Sequence, residues 1–152
     1  MQVVDTNVLA RVLVLDSGAQ AQCFAAQRWL SECKAVFVPQ VVQLELAWLL
    51  GRVFALTRKE IVQLLDALLQ HPAVTLQAAD AFEYALEVFK LGSDFGDGLI
   101  LFEAQRVGAQ VRGALVRAQH NLIARAYPNA HAFCADVCHN LKLNLKLKSS
   151  LP

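Results

Sequence analysis

The sequence predicts an α/β fold in which helices cover a parallel sheet. Three observations point there. Short β-branched runs alternate with longer segments of helical period. Capping and breaking residues mark where those segments start and stop. An acid, Asp5, ends the first apolar run, where open α/β sheets place their chemistry.

Taken in order, Val3-Val4 predicts a short, buried first strand. Val8 to about Leu15 starts a helix, and Ala19 to Leu30 has the spacing of a second. Val36-Phe37-Val38 is a compact β-branched and aromatic run, hence a second strand. Pro39 suits a first helical turn, and Gln40 to Phe54 follows with Val41, Leu44, Ala47, Trp48 and Leu49 at helical spacing. Thr57-Arg58-Lys59-Glu60 is a capping box ahead of the stripe Ile61, Leu64, Leu65, Leu68 and Leu69. His71-Pro72 ends that helix. Val74-Thr75-Leu76 predicts a third strand, and Asp80-Ala81-Phe82-Glu83 opens a helix that Gly92 caps. Asp94 to Val107 forms the next helix, closed by Gly108. Val111 to Val116 reads as a strand weakened by Gly113, and Asn121 to Tyr127 as a short helix before Pro128. Leu141 to Lys148 alternates with period two, the pattern of an edge strand with its lysines in solvent. The alternative there is a basic arm that contacts RNA.

The 152 residues suit one domain, yet 56% are hydrophobic and the mean hydropathy is +0.39. Such a balance implies a large core together with apolar surface that a partner covers, a homodimer being the expected cover. No uninterrupted apolar run reaches the length of about 18 residues that a membrane span requires. Met1-Gln2-Val3-Val4-Asp5 lacks the basic start of a signal peptide. The expected compartment is therefore the reducing cytoplasm, and Cys23, Cys33, Cys134 and Cys138 are read as free thiols. Cys134 and Cys138 lie near His131 and His139, but the spacing matches no common zinc signature. A net charge of +1 gives no broad electrostatic attraction for nucleic acid. Any such contact must be local or pass through metal ions.

The acids carry the chemistry. Asp5, Glu45, Asp94 and Asp97 each stand at an expected strand end or on an apolar-looking helix. Each has a plain structural reading beside the functional one. Asp5 suits a helix N-cap, Asp94 and Asp97 favour the positive end of a helix dipole, and Glu45 can emerge on a polar stripe with Gln43 or Arg52. Asp94 and Asp97 are three apart and project from one helix face. If that helix starts near the end of the first strand, they converge on Asp5. Acids held close raise one another's pKa unless a cation offsets them. Mg²⁺ or Mn²⁺ prefers such oxygen ligands and activates water toward a phosphoryl group.

Asp5-Thr6-Asn7, then Val38-Pro39 with Leu44-Glu45-Leu46, then Asp94-Phe95-Gly96-Asp97-Gly98-Leu99-Ile100 resemble the PIN-domain ribonucleases, above all the VapC-type toxins of toxin–antitoxin pairs. The resemblance runs over residues 1–127 and leaves 128–152 as an atypical C-terminal extension. It implies a three-layer α/β/α domain with a central parallel sheet, cleaving RNA through in-line attack of a metal-activated water. It implies that Asp5, Glu45 and Asp97 are catalytic, with Asp94 a further metal-binding acid, and that Thr6 and Asn7 support the first acid. Mg²⁺ or Mn²⁺ is the implied cofactor, and RNA, a cognate antitoxin and a second copy of the chain are the implied partners. The departure is at Gln119, in Leu115-Val116-Arg117-Ala118-Gln119-His120-Asn121-Leu122, where the family places a further acid. A neutral carbonyl oxygen binds a cation more weakly than a carboxylate.

Two other readings follow from the residues. A PIN-fold binding module would keep shape and dimerisation and cleave slowly or not at all, with Gln119 the reason. A signalling receiver with a phosphorylatable aspartate needs an early acidic pair and a late lysine beside the site. The chain lacks the early pair, and three of its lysines cluster in the tail. Arg11 and Arg52 each stand two helical turns from an acid as candidate phosphate contacts. His120 is left out, because water on a metal needs no such base.

Overall fold

The computed structural model describes residues 1–109. Strands β1 (Gln2–Val3), β2 (Val36–Val38) and β3 (Val74–Leu76) form one parallel sheet in the order β1-β2-β3. Gln2 pairs with Val36, and Val36 in turn with Val74. Parallel neighbours need a crossover that carries the chain back across the sheet. Helices α1 (Thr6–Leu13) and α2 (Gln20–Glu32) supply the first crossover. Helices α3 (Gln40–Arg52) and α4 (Arg58–Leu69) supply the second. Helices α5 (Ala79–Lys90) and α6 (Phe95–Arg106) follow β3. The arrangement is the expected three-layer α/β/α fold. The expected strand at 111–116, the helix at 121–127, the tail strand at 141–148, the boundary at 127/128, Gln119 and the Cys134–Cys138 pair lie outside the described residues.

The core is built where the sheet is covered on both sides. Val36 and Val38 of central β2 are fully buried. The first strand corrects the expectation of burial: Gln2 and Val3 are exposed, and Val4 just beyond them enters the core. The reason is position, since β1 is the edge of the sheet among the described residues. The first helix also starts earlier than expected, at Thr6, because Asp5 caps it.

The capping box at Thr57 is present in both directions: the Thr57 N–H donates to Glu60 Oε2 at 2.7 Å, and the Glu60 N–H donates to Thr57 Oγ1 at 3.4 Å. Next to it, the Arg58 guanidinium lies 4.2 Å over the Phe89 ring and donates to the Phe89 and Ser93 carbonyls. That clamp fixes the end of α5 and the turn into α6. Gly92 makes the turn in the left-handed region at φ +105°, which suits glycine. Phe82 of α5 and Phe95 of α6 meet edge to face, with centroids 5.2 Å apart. Gly98 brings the two helices to their closest approach: a Cβ there would lie 2.5 Å from Ala85 Cα.

Gly98→Ala is therefore expected to destabilise the protein by about 1–3 kcal/mol, the usual cost of forcing an atom into a filled core. Urea unfolding checks this, and a midpoint equal to wild type would refute the close packing. Thr57→Ala should cost about 1 kcal/mol through the lost cap in the same assay.

Candidate functional site

Parallel pairing puts the C-terminal ends of all three strands on one edge, and each end runs into a helix. Asp5 follows β1 and is the N-cap of α1. Its Oδ1 accepts the Val8 N–H at 2.8 Å. Asp94 caps α6 in the same manner, with Oδ1 accepting the Gly96 N–H at 2.9 Å. Asp94 thus stands just outside the helix, at φ −80° and ψ 148°, and not within it as its spacing from Asp97 suggests. A carboxylate has two oxygens and about four acceptor positions, so a cap does not exhaust it.

Glu45 emerges at the surface, one of the two expectations for it, but not on a stripe with Gln43, which is buried. Its neighbours are apolar, yet α3 turns Val41, Leu44, Glu45 and Trp48 outward and buries Val42, Gln43, Leu46, Ala47 and Leu50. Glu45 is exposed, and a hydroxyl meets it. Buried Thr6 donates from Oγ1 to Glu45 Oε2 at 2.5 Å, across 39 positions of sequence. Thr6 was expected to support Asp5; in the fold it holds Glu45. Asn7 is exposed, and its carbonyl accepts a hydrogen bond from Arg11 Nη1 at 3.1 Å. Arg11 also donates from Nε to Gln22 Oε1 at 2.8 Å, so this candidate phosphate contact is engaged in joining α1 to α2.

Asp97 lies in the first turn of α6 and is partly buried. Burial raises its carboxyl pKa, and the nearby Asp94 charge adds to the rise. Gly96 sits between the two acids, where a Cβ would lie 2.9 Å from Leu44 Cδ1. The bare backbone lets the start of α6 lie against α3 beside Glu45. Thr6 touches Glu45 and Gly96 adjoins Leu44, so the segments bearing Asp5, Glu45 and Asp97 are neighbours.

The carboxylates themselves are not drawn to one point. Among the described residues no three His, Cys, Asp or Glu side chains gather closely enough to hold a metal ion. Asp5 and Asp94 each turn an oxygen to a helix amide, and Glu45 takes a hydroxyl. The donor set of hard carboxylate oxygens suits Mg²⁺ or Mn²⁺, while its present geometry is that of caps and pairs. The described part of the chain is acidic in balance. Residues 1–109 hold eight Lys or Arg against twelve Asp or Glu, and residues 110–152 hold six against one.

Beside the acids runs an apolar groove of about 640 Å³ between α3 and α6, lined by Val41, Leu44, Leu99, Ile100 and Val107, with Glu103 on its wall. Val41, Ile100 and Val107 are more than half exposed. Here the hydrophobic excess of the composition reaches the surface. The groove was legible only in part, because outward-facing Val41, Leu44 and Trp48 carry the spacing of a core stripe.

A model of the PIN domain family matches residues 3–114. No curated protein and no solved structure matches the chain. Among the described residues no helix is long and apolar enough to cross a membrane.

The raised Asp97 pKa has a definite sign in stability. The folded state binds this proton more tightly than the unfolded chain, so Asp97 costs stability as pH rises from its ordinary 3.8 through the higher folded value. The cost is complete at neutral pH. Asp97→Asn should thus be more stable than wild type at pH 7, with the advantage fading below pH 3.8. Urea unfolding at both pH values checks it, and a variant less stable at pH 7 would contradict the assignment.

Proposed function

The chain belongs to the PIN domain family, and from that premise we propose that it is a metal-dependent endoribonuclease, the toxin of a VapBC-type toxin–antitoxin pair. PIN domains are a nuclease-type fold. The observation that carries the proposal is the contact of Thr6 with Glu45, one residue from each of two acid motifs and next to the Leu44–Gly96 approach.

In this reading Asp5, Glu45, Asp94 and Asp97 hold one or two Mg²⁺ or Mn²⁺ ions. A bound ion of this type lowers the pKa of water and offsets charge developing on the phosphoryl oxygens. The residues of the chain do the rest. The N-termini of α1 and α6 place positive dipole ends beside Asp5 and Asp97. Thr6 donates a hydrogen bond from its hydroxyl to Glu45 Oε2 and so fixes the direction of that carboxylate. Burial and the Asp94 charge raise the Asp97 pKa above its ordinary value, so protons compete with a cation there more strongly than at an ordinary carboxylate as pH falls. Attack by water breaks a phosphorus–oxygen bond without help from the ribose 2′-hydroxyl. The products then contain no 2′,3′-cyclic phosphate, and a deoxy substitution at the scissile nucleotide is tolerated.

The exposed apolar groove supports the partner part of the proposal: an antitoxin segment or a second copy of the chain would bury it. The second reading, a binding module of the same fold with weak cleavage, is favoured by Gln119 in place of an acid and by the ungathered carboxylates.

RNA cleavage with Mg²⁺ or Mn²⁺ decides between them. Asp5→Asn, Glu45→Gln and Asp97→Asn should each lower the rate by about a hundredfold or more, the scale of losing one preorganised electrostatic group. Thr6→Val should lower it by about tenfold, as for a residue that orients a ligand. Equal background cleavage by wild type and Asp5→Asn removes the enzyme reading. Calorimetric titration of Mn²⁺ into Gln119→Asp should show a site gained over wild type, and an unchanged isotherm would dissociate Gln119 from the metal centre.

A further inference from the structure

One buried polar side chain has no part in the chemistry above. Gln43 has no exposed surface, on the face of α3 that also buries Val42, Leu46, Ala47 and Leu50. A buried amide is costly unless it is bonded, and since Gln43 Oε1 has no partner among the described residues, the bonding rests on its Nε2. Gln43 Nε2 donates to the Val38 carbonyl at 3.0 Å and to the Gln77 carbonyl at 2.9 Å. Val38 is the last residue of β2, and Gln77 follows the last residue of β3. One amide thus bridges the ends of two adjacent strands, just past the final rung from the Gln77 N–H to the Val38 carbonyl at 3.0 Å.

The connection is reciprocal. Pro39 offers α3 no side-chain cap. Gln77 supplies an acceptor in its place, with Oε1 taking the Gln40 N–H at 2.9 Å. Gln43 therefore ties the helix to the sheet, and Gln77 ties the sheet to the helix. Together they fix both the height and the rotation of α3.

Rotation is what Glu45 depends on. Two residues along a helix is about 200° of turn, so Gln43 and Glu45 point in nearly opposite directions. A carboxylate roughly 5–6 Å from the axis moves by about 2 Å for a rotation of about 20°. Metal–oxygen distances tolerate only about 0.2 Å, and the Thr6 hydroxyl reaches Glu45 at 2.5 Å. We infer that Gln43 is a positioning residue: by bridging the ends of β2 and β3 it sets the direction of Glu45. This rests on the nuclease reading, in which Glu45 is a metal ligand.

The test is a double-mutant cycle on Mn²⁺ affinity, with wild type, Gln43→Met, Glu45→Gln and the double variant, and with urea unfolding recorded for each. Met keeps the volume and removes both donors. Gln43→Met is expected to weaken Mn²⁺ about tenfold when Glu45 is present and less than twofold when it is absent. A general loss of stability would not depend on Glu45. Gln43→Asn keeps the amide but lacks the reach for both carbonyls, and it serves the same cycle if the Met variant does not fold. An equal loss in both backgrounds, or none when Glu45 is present, overturns the positioning role and leaves the nuclease reading intact. A wild type that binds no Mn²⁺, or a Glu45→Gln variant that binds it undiminished, overturns the metal role of Glu45 and the positioning role with it.

Discussion

The parallel pairing of β1, β2 and β3 is the constraint on which the rest depends. Parallel strands release the chain at the same edge, and each release here leads into a helix N-terminus or toward one. The positive ends of those helices collect at that edge, and acids placed there cost less than elsewhere. Asp5 stands at the exit of β1, and the exit of β2 starts the helix that carries Glu45. The α5–α6 pair then returns Asp94 and Asp97 to the same region, held by the Arg58 clamp and by Gly98 against Ala85. An antiparallel sheet would send alternate exits to opposite edges, and the Thr6–Glu45 contact would not form.

Much of this was legible because local physics and the fold agree. Val36–Val38, Val74–Leu76, the Thr57 capping box and the stop at Gly92 are short-range signals, and the structure repeats them. Placement of Asp5, Asp94 and Asp97 at helix starts was legible for the same reason. What escaped was the direction of α3. A stripe at helical spacing normally faces the core, but here Val41, Leu44 and Trp48 face out while Gln43 faces in. Composition alone cannot reverse that assignment, because the deciding partners, the Val38 and Gln77 carbonyls, are backbone atoms of the strand ends. The pairing of Thr6 with Glu45 was hidden likewise, since contacts across 39 positions have no signature in a single sequence.

The site shows competing demands. Asp97 is held where burial and Asp94 both oppose its charge, and Leu44 and Ile100 lie open to solvent beside it. A fold optimised for stability alone would neutralise the first and cover the second. Both features make sense if a cation and a partner surface complete the assembly, so that stability withheld from the isolated chain is regained on association.

With twelve acids against eight bases, residues 1–109 carry a negative balance of their own that disfavours a polyanion near them, while the bases of residues 110–152 bring the whole chain to +1. Most proteins that hold nucleic acid lose affinity as ionic strength rises, because counterions are released on contact. A negative balance acts in the opposite sense: dissolved monovalent salt screens it, so residues 1–109 oppose a polyanion most strongly at low ionic strength.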